Sequence, residues 1–141
     1  MDRSLLLAFE PDGHARRPCV AFELRAAEGD TDLLTFDGHA SVTEHEYPVY
    51  GGKWPGWQET MASGAFKRTL KAKADVAFLI NHDGMTLART KSGTMRLDED
   101  DTGLHVEADL DARQGPVADL HVAAERGDID EMSFAFRVVE D

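Results

Sequence analysis

A chain of 141 residues is long enough for one domain with a single core. It carries 27 acidic against 15 basic residues, a formal charge of −12, which disfavours wrapping around nucleic acid or lying on an anionic membrane because either surface would repel it at long range. Cys19 is the one cysteine, so an internal disulfide and a multi-cysteine zinc site are excluded. There is no apolar run of about 18 residues or more. The start, Met1-Asp2-Arg3-Ser4-Leu5, lacks a signal peptide's basic end and long apolar core, so the sequence reads as soluble and cytoplasmic.

Residues 1–18 hold Pro11, Gly13 and Pro18 with little periodicity and read as a loose leader, ordered only by contacts, ahead of a folded domain over 19–141. Val20, Phe22 and Leu24 alternate with smaller or polar neighbours as a half-buried strand does, and Glu28-Gly29-Asp30 makes a turn. Alternation resumes from Leu33 to Val42, where the small Gly38 and Ala40 predict a curved strand or a close backbone approach. Residues 43–58 are rich in Gly, Pro and aromatics, among them Tyr47, Tyr50, Trp54 and Trp57, and read as a long structured loop. Its aromatics could bind a peptide or staple the loop to the body. His39 and His45, one on the strand and one on the loop, make no metal-ligand signature.

Ser63 is a candidate N-cap for a helix over 64–73, with Phe66 and Leu70 on one face. The unbroken apolar run Val76-Ala77-Phe78-Leu79-Ile80 predicts a strand buried on both faces, and Asn81-His82-Asp83 ends it abruptly. An imidazole emerging where such a strand leaves the core is well placed to act as a base. Segments 86–90 and 94–98 read as a hairpin around Lys91-Ser92-Gly93, and 100–103 as a turn into another strand. There Leu104, Val106, Ala108 and Leu110 face inward, and His105, Glu107 and Asp109 share the other face, which could hold a metal or simply face solvent. Gly115-Pro116 opens a helix to Arg126, with Val117, Leu120 and Ala124 as its buried stripe. The acidic clusters Asp98-Glu99-Asp100-Asp101 and Asp128 to Glu131 read as solvated turns or as an attraction for basic peptides. In the strand that follows, Met132, Phe134, Phe136 and Val138 share one face and leave Ser133 on the other with only Ala135 beside it.

A serine hydroxyl is a poor nucleophile at neutral pH unless a base accepts its proton, and histidine, with an unperturbed pKa of about 6.5, is the usual supplier. Six histidines and several serines offer many such pairs, so spacing alone does not single out His82 and Ser133.

The order of motifs does. Phe36-Asp37-Gly38-His39-Ala40-Ser41-Val42, then Ser63-Gly64-Ala65-Phe66-Lys67-Arg68-Thr69-Leu70, then Leu79-Ile80-Asn81-His82-Asp83, then Asp101-Thr102-Gly103-Leu104-His105-Val106, then Gly127-Asp128-Ile129-Asp130-Glu131-Met132-Ser133-Phe134-Ala135-Phe136 resembles the prohead maturation proteases of tailed bacteriophages. Those enzymes look like relatives of the herpesvirus assemblins. The resemblance covers roughly residue 33 onward and is specific as an ordered set. It implies an α+β, mostly β fold, an antiparallel assemblin-like β-barrel flanked by a few helices, with His82 as base and Ser133 as nucleophile. It also implies a serine endopeptidase acting inside the assembling procapsid, in the cytoplasm of the bacterial host. Its substrates would be scaffold segments or the scaffold-like extension of the major capsid protein, and the protease itself. No cofactor or metal is implied, since serine, histidine and backbone N–H donors suffice for acyl transfer.

Two departures stand out. Ser63 takes the place of a proline that usually precedes the Gly-Ala-Phe of the helix motif, which should alter capping more than chemistry. Family members also continue past the Ser133 strand into a segment expected to bring the acid that orients the histidine, whereas this sequence stops at Asp141. The chain is therefore expected to be a truncated or processed form, of weak or no activity, with its third catalytic residue beyond Asp141 unless another acid serves. Glu131, on the strand face of Ser133, is the first candidate within the chain; Glu107 and Asp83 follow. A barrel ending there would expose the edge of that strand and invite a homo-oligomer. Two other classes compete: a catalytically silent barrel serving as a scaffold or capsid-assembly module, and a metal-dependent hydrolase drawing on His82, Asp83, His105 and His121.

Overall fold

The computed structural model describes residues 5–9, 22–29, 32–48, 58–80, 83–129 and 133–135, with backbone alone at 5–9, 47–48, 58–59 and 133–135. In chain order the elements are β1 (Leu5–Phe9), β2 (Glu23–Ala26), β3 (Leu33–Val42), β4 (Glu46–Pro48), β5 (Gln58–Thr60), α1 (Lys67–Lys71), β6 (Val76–Ile80), β7 (Asp83–Arg89), β8 (Met95–Glu99), β9 (Gly103–Asp111), α2 (Gly115–Glu125) and β10 (Ser133–Ala135). The fold is α+β and mostly β, as the resemblance implies. The described strands form two four-stranded sheets, ordered β10-β1-β6-β7 and β2-β3-β9-β8, and the pair β4-β5. Among the described residues no closed barrel is found, and one pairing, β1 with β6, is parallel where an all-antiparallel barrel was expected.

Alternation builds the second sheet. Leu34, Phe36 and Ala40 of β3 face Leu104, Val106, Ala108 and Leu110 of β9 and Met95 of β8 within one buried core. Phe22 lies directly over Gly38: a Cβ on that glycine would come within 2.7 Å of the Phe22 Cβ, the close approach that the small residue predicts. The register slips between His39 and Ser41, a bulge that turns Ser41 toward the buried side beside Ala40.

β6 joins the other sheet to this core through Val76 and Phe78, and Phe78 meets Phe36 edge-on. β1 lies between β6 and β10. Its five residues fall within the segment expected to be a loose leader, and their apolar run, Leu5-Leu6-Leu7-Ala8-Phe9, suits a strand flanked on both edges.

Two local expectations are corrected. The helix expected over 64–73 shortens to Lys67–Lys71, and Ser63 is not its N-cap. Gly64 has φ 88, outside the helical region, and the N–H groups of Ser63 and Gly64 donate instead to Glu44 Oε1 and Glu99 Oε1, both at 2.6 Å. The strands on either side of Lys91-Ser92-Gly93 are not a hairpin, because β7 belongs to one sheet and β8 to the other. The turn between them, closed by the N–H of Gly93 donating to Thr90 O and of Arg89 donating to Thr94 Oγ1, carries the chain from sheet to sheet. α2 keeps its expected place, with Pro116 in the first turn and Val117 and Leu120 buried.

Candidate active site

The residues singled out in the sequence fall at or next to two strand ends, that of β6 and the start of β10. β6 can be apolar throughout because both its faces are covered: Val76 and Phe78 enter the core between the sheets, and Leu79, on the opposite face, is itself buried. Ala8 of β1 is in register with Leu79 on one side and Ser133 on the other. Because β10 runs antiparallel to β1, and β1 parallel to β6, Ser133 opens its strand at the end of the sheet where β6 finishes. The two backbones lie two strand spacings apart, about 10 Å. Ile80 is in register with Asp83, the first residue of β7, whose Oδ1 accepts the N–H of Gly84 at 2.8 Å. His82 and Glu131 lie outside the described residues, as do Tyr50, Trp54 and Trp57 of the aromatic loop and Cys19. The same holds for residues 136–141, so the expectation of a third catalytic residue beyond Asp141 also falls outside what the structure describes.

Glu107, the second candidate for an orienting acid, is on the other sheet and is taken up by an arginine: Arg96 donates Nη2–H to Glu107 Oε1 at 2.8 Å and Nη1–H to Asp109 Oδ2 at 3.0 Å. The hydrogen bond to Asp109 is the main cause of an Arg96 pKa raised above its ordinary value. His121 pairs with Glu125 one helical turn on, at 3.2 Å. Asp83, His105 and His121 thus stand on three separate elements, and among the described residues no group of three or more His, Cys, Asp or Glu side chains could hold a metal ion.

The polar face of β3, β8 and β9 holds an arrangement that sequence reasoning missed. His39 and His105 are cross-strand partners with ring centroids 5.3 Å apart. His39 Nε2 lies 2.7 Å from Asp100 Oδ2, and Asp100 Oδ1 accepts the N–H groups of Thr102 and Gly103 at 2.9 Å, which ties the ring to the β8–β9 turn. His105 has a carboxylate at each nitrogen, Asp98 Oδ1 at 2.7 Å from Nδ1 and Asp37 Oδ1 at 2.9 Å from Nε2. A ring donating to both carboxylates is an imidazolium with no lone pair to offer, so this geometry makes a cationic tie rather than a general base. Burial works against that charge, but the hydrogen bonds to Asp98 and Asp37 outweigh it and raise the pKa of His105. The alternation of both strands put Asp37, His39 and His105 on the outer face; the register that brings them together was not legible. Ser41, close to His39 in sequence, is buried and in no position to meet a substrate.

No helix among the described residues is long and apolar enough to cross a membrane. No curated protein and no solved structure matches the chain. A family model described as caudovirus prohead serine protease matches residues 20–141, which takes in β2 through β10 and both strand ends of the candidate site, and the chain belongs to that family.

Proposed function

We propose that this chain is the endopeptidase that cleaves scaffold or capsid-protein extension segments, and itself, inside the assembling procapsid, with Ser133 as nucleophile, His82 as general base and Glu131 as the acid that orients the base. Family membership supports a serine peptidase with a role in capsid maturation. The observation that carries the finer reading is the row Ser133, Ala8, Leu79. It sets the start of β10 at the sheet end where β6 finishes, and His82 follows Ile80 by two residues and precedes the register-paired Asp83 by one. In this reading the nearness of His82 in sequence to that paired end supports it as the base.

In this reading His82 takes the Ser133 proton as the hydroxyl attacks the scissile carbonyl and returns it to the leaving amine, while backbone N–H donors hold the oxyanion. The acid fixes the tautomer and stabilises the imidazolium. Removing a nucleophile can cost on the order of 10⁶ in turnover and removing an orienting acid about 10⁴. The test is cleavage of a scaffold-derived peptide, together with labelling by a serine-directed phosphonate, for Ser133→Ala, His82→Ala, Glu131→Gln, Glu107→Gln and Asp83→Asn. Loss in the first three, with near-normal rates in the last two, is expected. Phosphonate labelling that persists in Ser133→Ala would overturn the nucleophile, and full activity of Glu131→Gln would move the orienting role elsewhere.

A further inference from the structure

The pairing of β6 with β7 is interrupted beside the candidate site. Phe78 is in register with Ala88 and Ile80 with Asp83, so one residue of β6, Leu79, stands against four of β7, Gly84 to Leu87. A bulge of this kind breaks the regular ladder and re-aims the side chains it carries. We propose that this bulge is a substrate-recognition element of the peptidase, in which Met85 takes an apolar side chain of the peptide about four residues from the scissile bond.

Position is the first argument. Leu79 is the residue that shares a register row with Ala8 and Ser133, so the bulge of β7 continues the row of the proposed nucleophile. In the order β10-β1-β6-β7 three strand spacings separate Ser133 from the bulge, about 14 Å, and an extended peptide rises about 3.3 Å per residue. About four residues of substrate therefore span the sheet end from the serine to Met85.

Exposure on a fixed segment is the second, independent argument. Met85 is 64% exposed, and Val122 on α2 is the other large hydrophobic side chain left exposed among the described residues. A lone exposed apolar residue needs no special cause. Met85 differs in being carried by an excursion whose two ends are anchored: Asp83 is in register with Ile80, and Leu87 and Ala88 are buried in the core. Between them Gly84 takes φ 81, a conformation suited to glycine, and its N–H donates to Asp83 Oδ1 at 2.8 Å. Met85 and Thr86 are thus held in solvent rather than in the sheet. An unbranched thioether side chain adapts to partners of different shape, so the class selected is apolar side chains in general rather than one residue type.

The proposal rests on Ser133 being the nucleophile, and the test reads the two separately. A serine-directed phosphonate, with the labelled residue mapped by mass spectrometry, reports the nucleophile in the parent chain. A synthetic peptide library is then cleaved by the parent, Met85→Leu, Met85→Asp and Val122→Asp, and the cleaved bonds are read by mass spectrometry. The parent should favour apolar residues about three to five positions from the bond on one side. Met85→Leu should keep that preference, and Val122→Asp should match the parent. Met85→Asp should lose the preference by about tenfold or more and turn it toward Lys and Arg. On one peptide from the parent's set, the loss in Met85→Asp should appear chiefly as a raised KM. With Ser133 labelled, a parent indifferent at those positions, or a preference unchanged in Met85→Asp, would overturn this proposal alone. A phosphonate found on another serine, or on none, would overturn the nucleophile and this proposal with it.

Discussion

Phe36 of β3 and Phe78 of β6 meet edge-on with ring centroids 5.0 Å apart and planes at 71°, and through them the two four-stranded sheets share one core. Both are fully buried, so each Phe→Ala should cost about 3–5 kcal/mol in urea unfolding. Edge-to-face pairs add about 0.5–1.5 kcal/mol beyond area, and a double-mutant cycle should return a coupling in that range. Additive single losses would mean that the sheets are joined elsewhere.

The His105 tie predicts a pH dependence with a definite sign. Its folded-state pKa is raised above 6.5, so its contribution is complete below the unfolded-state value and is lost as pH rises through the folded-state one. Asp100 has the opposite sign. Burial alone would raise its pKa, but the His39 hydrogen bond and the N–H groups of Gly103 and Thr102 outweigh it, so its contribution is present above the unfolded-state value and lost as pH falls through the lowered one. Asp111, with Arg113 hydrogen-bonded to it, titrates at about 2. In His105→Gln the stability deficit should be about 1 kcal/mol near pH 5.5, because Asp98 is well exposed, and should shrink by about pH 9. Unfolding free energies across that range measure it, and a deficit constant with pH would show that the ring is not a titrating tie.

Gly103 and Gly29 form a matched test of steric against conformational demand. Both have positive φ, 155 and 76, but a Cβ on Gly103 would fall 2.0 Å from Ser41 O, whereas Gly29 has nothing within 4 Å. Gly29→Ala should cost about 1 kcal/mol for the left-handed backbone alone. Gly103→Ala must also push β3 and β9 apart where His39 and Asp100 meet, and should cost several times more, roughly 3 kcal/mol. Similar midpoints for the two variants in a thermal melt would contradict the close approach.

Sequence periodicity revealed individual strands well and their partners poorly. β3 was legible at both ends because ten residues alternate without interruption, and the inward set of β9 followed from the same rule. Period says which face a residue occupies but not which strand lies beside it. Hence β7 and β8, with a good turn between them, read as a hairpin although each pairs in a different sheet, and His39 and His105 could not be matched before their register was known. α1 was overextended because Ser63 has the chemistry of a cap, while the carboxylates that take the N–H groups, Glu44 and Glu99, are remote in sequence. His82 and Ser133 were singled out by motif order, a signal that periodicity does not contain.

β1 supplies the last prediction. It is the only strand between β10 and β6 in that sheet, with Leu7 in register with both Phe134 and Phe78. If Ser133 works with a base that follows β6 in sequence, the distance between β6 and β10 that such a pair needs is set by this strand, although no catalytic motif falls within it. Proline at position 7 would remove a donor from a strand paired on both edges and force its ring against a neighbour, at a cost of about 3 kcal/mol or more. Leu7→Val, β-branched and suited to a strand, should leave the pairing intact. The expected outcome is therefore a pair of variants that diverge: Leu7→Val close to the parent in stability and peptide cleavage, Leu7→Pro destabilised and inactive. The informative measurement is made at low temperature, where far-ultraviolet circular dichroism shows the Leu7→Pro chain still folded around the β3–β9 sheet. Loss of cleavage in that folded population would locate the effect at the spacing of β6 and β10, whereas parental rates would show that the active site assembles without β1.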